Sequence, residues 1–139
     1  MIIDEFQLRP RYGEVDQMGY VYHANYVTYC HQARTELLRK FGINDQLLEQ
    51  HKIMLPVIVM NLNYLKPAYY DELLTVKTTI AQMPHVRFDF NFEILNEESQ
   101  KICVAHSTLV FADAVTRKPI RIPELVEKAL KHHFTTVCV

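Results

Sequence analysis

At 139 residues, 49% of them hydrophobic, with three glycines and six prolines, the chain has the size and apolar content expected of one domain, 1–139, around one core. Its 15 basic and 16 acidic residues leave a net charge of −1, which excludes the global field that draws proteins onto nucleic acid or an anionic membrane. The start, MIIDEF, has no basic n-region or apolar h-region, and no run approaches the ~18 apolar residues of a membrane span, so a cytoplasmic protein is expected. Cys30, Cys103 and Cys138 lie far apart without CxxC spacing and read as reduced thiols.

In chain order, residues 2–12 alternate weakly, Phe6 and Leu8 about Gln7 with Arg9 and Arg11 following, which predicts a half-buried strand. The loop RYGEVDQMGY then carries two of the three glycines. From about His23 to Phe41, residues Tyr26, Tyr29, Cys30, Ala33, Leu37 and Phe41 recur at spacings of three and four, the period of one helical face. Such a helix is about 25 Å long, and Gly42 offers it a C-terminal stop. Residues 44–51 predict a short second helix. After Pro56 the pattern changes to strands at 57–65, 72–82, 86–95 and 101–112, divided by KPAYYD, the Pro84 turn and NEESQ. The third is the clearest, with Val86, Phe88, Phe90, Phe92 and Ile94 alternating with Arg87, Asp89, Asn91 and Glu93. The fourth sets the small residues Cys103, Ala105 and Ser107 on one side, which lets a helix approach closely. A last helix is predicted at 123–133, with Pro123 in its first turn.

The sum is an α+β arrangement, an antiparallel sheet of about five strands burying one long helix. Its edge strands need covering or pairing, so edge-to-edge dimerisation is expected.

The chemistry concentrates in GEVDQMGYVYHANYVTYCHQAR at 13–34, where Asp16 stands seven residues before His23. A helix N-terminus carries unpaired amides and about half a positive charge, so it can hold an oxyanion without a metal. An aspartate beside it can attack a carbonyl or activate water, and Gly19 allows the tight turn this needs. On spacing alone, an aspartate before a helix is more often a cap or a loop acceptor than a catalyst.

The run D-Q-M-G-Y-V-Y-H-A-N-Y, preceded by R-Y-G-E-V and followed by A-R-T-E-L-L, resembles the signature of the 4-hydroxybenzoyl-CoA thioesterase-like branch of hotdog-fold acyl-CoA thioesterases. Within that branch it is most similar to the group of Tol-Pal-associated thioesterases and dihydroxynaphthoyl-CoA hydrolases. The resemblance continues through N-Y-L-K-P-A-Y-Y-D-E-L-L-T-V at 63–76 and F-A-D-A-V-T-R-K-P-I-R-I-P at 111–123. It implies a hotdog fold, hydrolysis of an acyl-CoA substrate, and a homodimer or homotetramer. It also implies that Asp16 is the catalytic carboxylate and that the backbone N–H nearest His23 polarises the thioester carbonyl. Val15, where the family commonly has Thr or Cys, and Tyr20, where Ile or Val is common, depart from the pattern and bear on substrate choice.

Tyr22 and Tyr26 are candidate walls of an acyl pocket, although aromatic residues at this spacing, Tyr29 included, are more often core or interface. Asn25 is a candidate site residue by family analogy, and its physical reading is a hydrogen bond fixing the loop to the first helical turn. For the coenzyme A phosphates the candidates are His85, Arg87, Lys66 and the Arg117-Lys118 turn. Arg87 is preferred because related enzymes place nucleotide contacts near this strand start. The seven histidines form no HxH or HExxH pattern, and His132-His133 falls near an end expected to fray, so no metal is expected. No cofactor is expected either, coenzyme A being part of the substrate. Cys30 falls on the apolar helix face and reads as a packed thiol, not a nucleophile. Two other functions fit the fold class. A non-catalytic acyl-CoA-binding module should lack the carboxylate, and a dehydratase needs a histidine with an acidic partner, whereas the order here is carboxylate first, then His-Ala-Asn-Tyr.

Overall fold

The alternating phenylalanines at 88, 90 and 92 set where the core lies. All three are buried to 1% exposure or less, with Phe88 and Phe90 stacked at 4.4 Å and Phe90 and Phe92 at 6.3 Å between ring centroids. Each such side chain contributes roughly 1.5–3 kcal/mol by leaving water.

The computed structural model describes residues 1–134. In chain order its elements are β1 (Ile2–Leu8), α1 (Asn25–Lys40), α2 (Asp45–Gln50), β2 (Ile53–Met54), β3 (Val57–Tyr64), β4 (Leu74–Ile80), β5 (Arg87–Leu95), β6 (Lys101–Val110), β7 (Ala112–Asp113) and α3 (Glu124–Leu130). Five of the strands form one antiparallel sheet in the order β1-β4-β5-β6-β3. The register opposes Phe88, Phe90 and Phe92 to Leu109, Ser107 and Ala105. Against this face, with Leu74, Val76 and Ile80 of β4, pack Tyr26, Tyr29, Cys30, Ala33 and Leu37 of α1, all in one cluster. The architecture is the α+β arrangement expected, one sheet around one long helix.

Helix α1 ends because Gly42 takes φ +78°, a conformation that a side chain disfavours. The Gly42 amide then donates to the Arg39 carbonyl and the Ile43 amide to the Leu38 carbonyl, the paired bonds of a Schellman stop. Helix α2 starts on the Asn44 side chain, which accepts from the Leu47 amide at 2.8 Å.

Several boundaries differ from the sequence reading. Strand β1 stops at Leu8, since Pro10 has no amide to donate to a ladder. The α1 helix starts at Asn25, with His23 and Ala24 in the turn before it. Val86 precedes β5 and is 39% exposed. Pro123 is the N-cap of α3 instead of its first helical residue. The short β2–β7 pair, Ile53 with Asp113 and Met54 with Ala112, was not foreseen, two residues being too few to show a period. The chain at 131–133 does not fray: it forms a 3₁₀ turn, His133 meets Phe41 edge-on at 4.9 Å, and the Met1 ammonium donates to the His133 carbonyl. Cys138 lies outside the described residues.

The two edges of the sheet are unlike. On β1, Asp4 pairs with Lys40 and Glu5 adds a further charge. Strand β3 reads VIVMNLNY without a charge, and Val57, Ile58 and Val59 are 46%, 49% and 39% exposed. An uncharged apolar edge of this kind invites a further strand.

Candidate active site

Between β1 and α1 the loop folds on hydrogen bonds, with little apolar packing. The Asp16 carbonyl accepts from the Gly19 amide at 3.0 Å and the Asp16 amide donates to the Tyr20 carbonyl at 2.7 Å, a tight turn that Gly19 closes at φ +80°. Inside it, Asp16 Oδ1 accepts from the amides of Met18 at 2.9 Å and Tyr20 at 3.2 Å. Oδ2 has no hydrogen-bond partner among the described residues. The carboxylate is half-buried and held through Oδ1.

Glu14 anchors the loop. Its carbonyl accepts from the Tyr22 amide and from Asn25 Nδ2, both at 2.8 Å, and its carboxylate accepts from the Tyr29 hydroxyl at 3.1 Å. Asn25, the first residue of α1, thereby ties the loop to the helix start. The Val21 amide donates to Ala68, and Val15 pairs with Val21 as Tyr20 does with Tyr69. These bonds fix the loop against segment 64–69, downstream of β3.

The resulting cleft of about 330 Å³ is lined by Asp16, Tyr20, Val21, His23, Tyr26, Tyr64, Leu65, Lys66 and Pro67. Tyr26, 3% exposed, accepts from the Ala68 amide at 3.2 Å. Burial is the main cause raising its pKa, opposed by that hydrogen bond, so its ring is a neutral wall. The Tyr64 hydroxyl donates to the His23 carbonyl at 3.1 Å, and the two rings meet edge-on at 6.1 Å. The Tyr26 amide also turns back to the His23 carbonyl, at 3.3 Å. The His23 amide has no acceptor among the described residues. It stands at the positive end of a 16-residue helix, where a developing negative charge is stabilised.

Asp16, His23 and Tyr26 thus come together. Tyr22 stands beside His23, ring centroids 4.5 Å apart and half exposed, outside the residues that line the cleft. Arg87 lies at the opposite end of the sheet: it pairs with Val110, near Val57, while the cleft sits at Tyr64, about 23 Å further along β3 at 3.3 Å per residue. Lys66 is the cation at the cleft itself. Tyr64, Leu65 and Pro67 were not foreseen as site residues; the NYLKPAYYD segment carried the resemblance, and its proximity to Asp16 was the signal available. Cys30 is fully buried and its thiol is pushed up to about 12 by burial, so it is a packed core residue. No group of three or more His, Cys, Asp or Glu suited to a metal ion occurs among the described residues, and no helix there is long and apolar enough to cross a membrane.

A five-stranded antiparallel sheet wrapped on a long helix is the hotdog arrangement. A Staphylococcus aureus DHNA-CoA thioesterase has the same fold, at 32% identity and a TM-score of 0.84 over 99% of this chain and 98% of that one. Residues 10–130 match the thioesterase-like superfamily, and the chain belongs to that family. An acyl-CoA thioester hydrolase of Escherichia coli, YbgC, is 32% identical over 89% of this chain and 92% of its own. A 1,4-dihydroxy-2-naphthoyl-CoA hydrolase of Thermosynechococcus vestitus is 23% identical over 91% and 88%.

Proposed function

We propose that this chain is an acyl-CoA thioester hydrolase in which Asp16 is the catalytic carboxylate and the start of α1, nearest the His23 amide, is the oxyanion donor. The observation that carries the reading is that Asp16, with one carboxylate oxygen unpartnered, lines the same cleft as His23. The relatives that are thioester hydrolases, matched along most of their length, support the reaction class.

Two routes use the same groups. As a general base, Asp16 takes a proton from water while the water oxygen attacks the thioester carbonyl carbon. The carbonyl oxygen becomes an oxyanion at the helix amides, the C–S bond breaks, and the departing thiolate is protonated to give free coenzyme A and the acid. As a nucleophile, Asp16 attacks the carbonyl itself, expels the thiolate and forms a mixed anhydride that water then cleaves. Neither route calls for a metal or a further cofactor.

The acyl-CoA phosphates need cations at the mouth of the cleft, and Lys66 supplies one. The uncharged edge of β3 supports a homodimer formed by antiparallel pairing of β3 with its copy, and such dimers can pair again as homotetramers. Hydrolysis of short, medium, long and aromatic acyl-CoAs by the native protein and by Asp16→Ala tests the reading. The native protein is expected to release thiol from at least one class and the variant at most a hundredth as fast; equal rates refute the role of Asp16. Label found in the Asp16 carboxylate after a single turnover in oxygen-18 water identifies the anhydride route, because a general base acquires none.

A further inference from the structure

Three cavities follow one another along α1, the Asp16 cleft first. That cleft takes His23 and Tyr26 from the start of α1 and Tyr64 from the end of β3. The next, about 150 Å³, is reached one helical turn on, past Val27 and Cys30 of α1 and Met60 and Val57 of β3. The third, about 400 Å³, is walled by Leu38, Ile53 and Leu55 and also by Asp45, Glu49 and Lys52. Arg34 belongs to the walls of both the second and the third.

Arg34 is half-buried, among mainly apolar residues in the middle cavity and sharing the walls of the third with Asp45 and Glu49. Its Nη2 lies 2.7 Å from His31 Nδ1, which uses one of five guanidinium donors. No carboxylate lies within ion-pair distance of it among the described residues, where six ion pairs occur elsewhere. Burial lowers the pKa of the group, and Asp45, too distant to pair, only partly opposes this. A partly desolvated cation without a carboxylate partner carries a cost that an anionic or oxygen-bearing ligand relieves. The middle cavity has a second unmet polar group in its wall: Ser107 is 1% exposed and its hydroxyl has no hydrogen-bond partner among the described residues. Among the described residues the other such hydroxyl, on Thr78, lines none of the three cavities.

We propose that Arg34 is a specificity residue which receives an oxygen acceptor at the far end of the acyl group, laid along these cavities from a thioester at Asp16, with Ser107 as a second polar contact. The proposal rests on the hydrolase reading above for the orientation of the substrate. Arg34 stands eleven residues beyond His23, about 16 Å along the helix axis, and helical side chains lean back toward the N-terminus. The acceptor therefore belongs to the tail of the acyl group and not to the neighbourhood of the carbonyl. A cavity of about 150 Å³ accepts a benzene ring when apolar, so a ring or a short chain fills the space between. A guanidinium grips carboxylate oxygens with two parallel donors and also serves a phenolic oxygen.

The test uses two matched pairs, hexanoyl-CoA with carboxylate-ended adipoyl-CoA, and 2-naphthoyl-CoA with 6-hydroxy-2-naphthoyl-CoA. Each is measured as thioester hydrolysis and as calorimetric binding of its non-hydrolysable thioether analogue. In the native protein the acceptor-bearing member of at least one pair should bind about 10-fold or more tightly, the scale of one charge-assisted hydrogen bond. Arg34→Met and Arg34→Gln should bring that ratio below about twofold, and Ser107→Ala should reduce it by less than Arg34 variants do. Preference confined to the adipoyl pair assigns a carboxylate, and preference confined to the naphthoyl pair assigns a phenolic oxygen. Ratios near one in both pairs of the native protein overturn the proposal, and so does a ratio that survives loss of Arg34. The native ratios decide the matter even where an Arg34 variant does not fold. Selective binding without hydrolysis of any thioester would refute the hydrolase reading and leave Arg34 as the selecting group.

Discussion

The helix-facing side of the sheet and the loop at 9–24 are held together by different physics. On the sheet, Phe88, Phe90 and Phe92 oppose Leu109, Ser107 and Ala105 across β6 and are removed from water. In the loop, Asp16, Glu14 and Asn25 close a set of backbone hydrogen bonds while Tyr12, Met18 and Tyr22 remain exposed. Burial is non-directional and sums over area, whereas hydrogen bonds fix orientation at little net energy. Stability should therefore be sensitive on the sheet, and activity in the loop.

The largest test of that division is Phe90→Ala, which leaves a cavity between β5 and α1 and should cost about 3–5 kcal/mol in chemical denaturation. At temperatures where the variant stays folded, its hydrolysis rate should remain close to native. Asp16→Asn does the reverse: the amide oxygen can still accept from Met18 and Tyr20, so stability should hold within about 1 kcal/mol, while turnover falls by at least about 100-fold. A large loss of stability in this variant would erase the distinction between the two regions.

Gly19→Ala lies between these. A Cβ there meets nothing within 4 Å, so the cost is conformational, about 1–2 kcal/mol for a side chain at φ +80°. If the turn exists to aim Asp16, turnover should fall by more than that loss of stability explains, as thermal melts and steady-state rates on one preparation will reveal.

The smallest effect concerns pH. Burial pushes the thiols of Cys30 and Cys103 up to about 12 and about 11, above their ordinary value of 9.0. Below pH 9 both the folded and unfolded thiols keep their protons and nothing is lost. As pH rises from 9 toward 12 the unfolded chain ionises first, so stability drains away at high pH, by about 1 kcal/mol per thiol at pH 10. Replacing Cys30 and Cys103 by alanine should shrink the fall in stability between pH 8 and pH 10; an unchanged fall would show that the core thiols do not titrate in this way.

Much of the fold was legible because it is periodic. Spacings of three and four mark α1, strict alternation marks β5, and Gly42 marks where the helix stops. What escaped was short or depended on distant residues. The β2–β7 pair has no period to read, and the ordered turn at 131–133 comes from His133 meeting Phe41 and from the Met1 ammonium. In the site, Asp16, His23 and Asn25 were legible as one contiguous motif. Tyr64 was not, because its hydroxyl reaches the His23 carbonyl across 41 positions of sequence.

By itself, the sequence determined the order of elements, the inward face of each and the family to which the loop motif belongs, since these follow from local period and residue type. The tertiary structure decided which cations and aromatic rings share a cleft with Asp16. It set Lys66 there and Arg87 at the other end of the sheet, and it put Arg34 in the walls of two cavities along α1. Those outcomes follow from strand register, and register is chosen by how whole faces pack and not by any one segment.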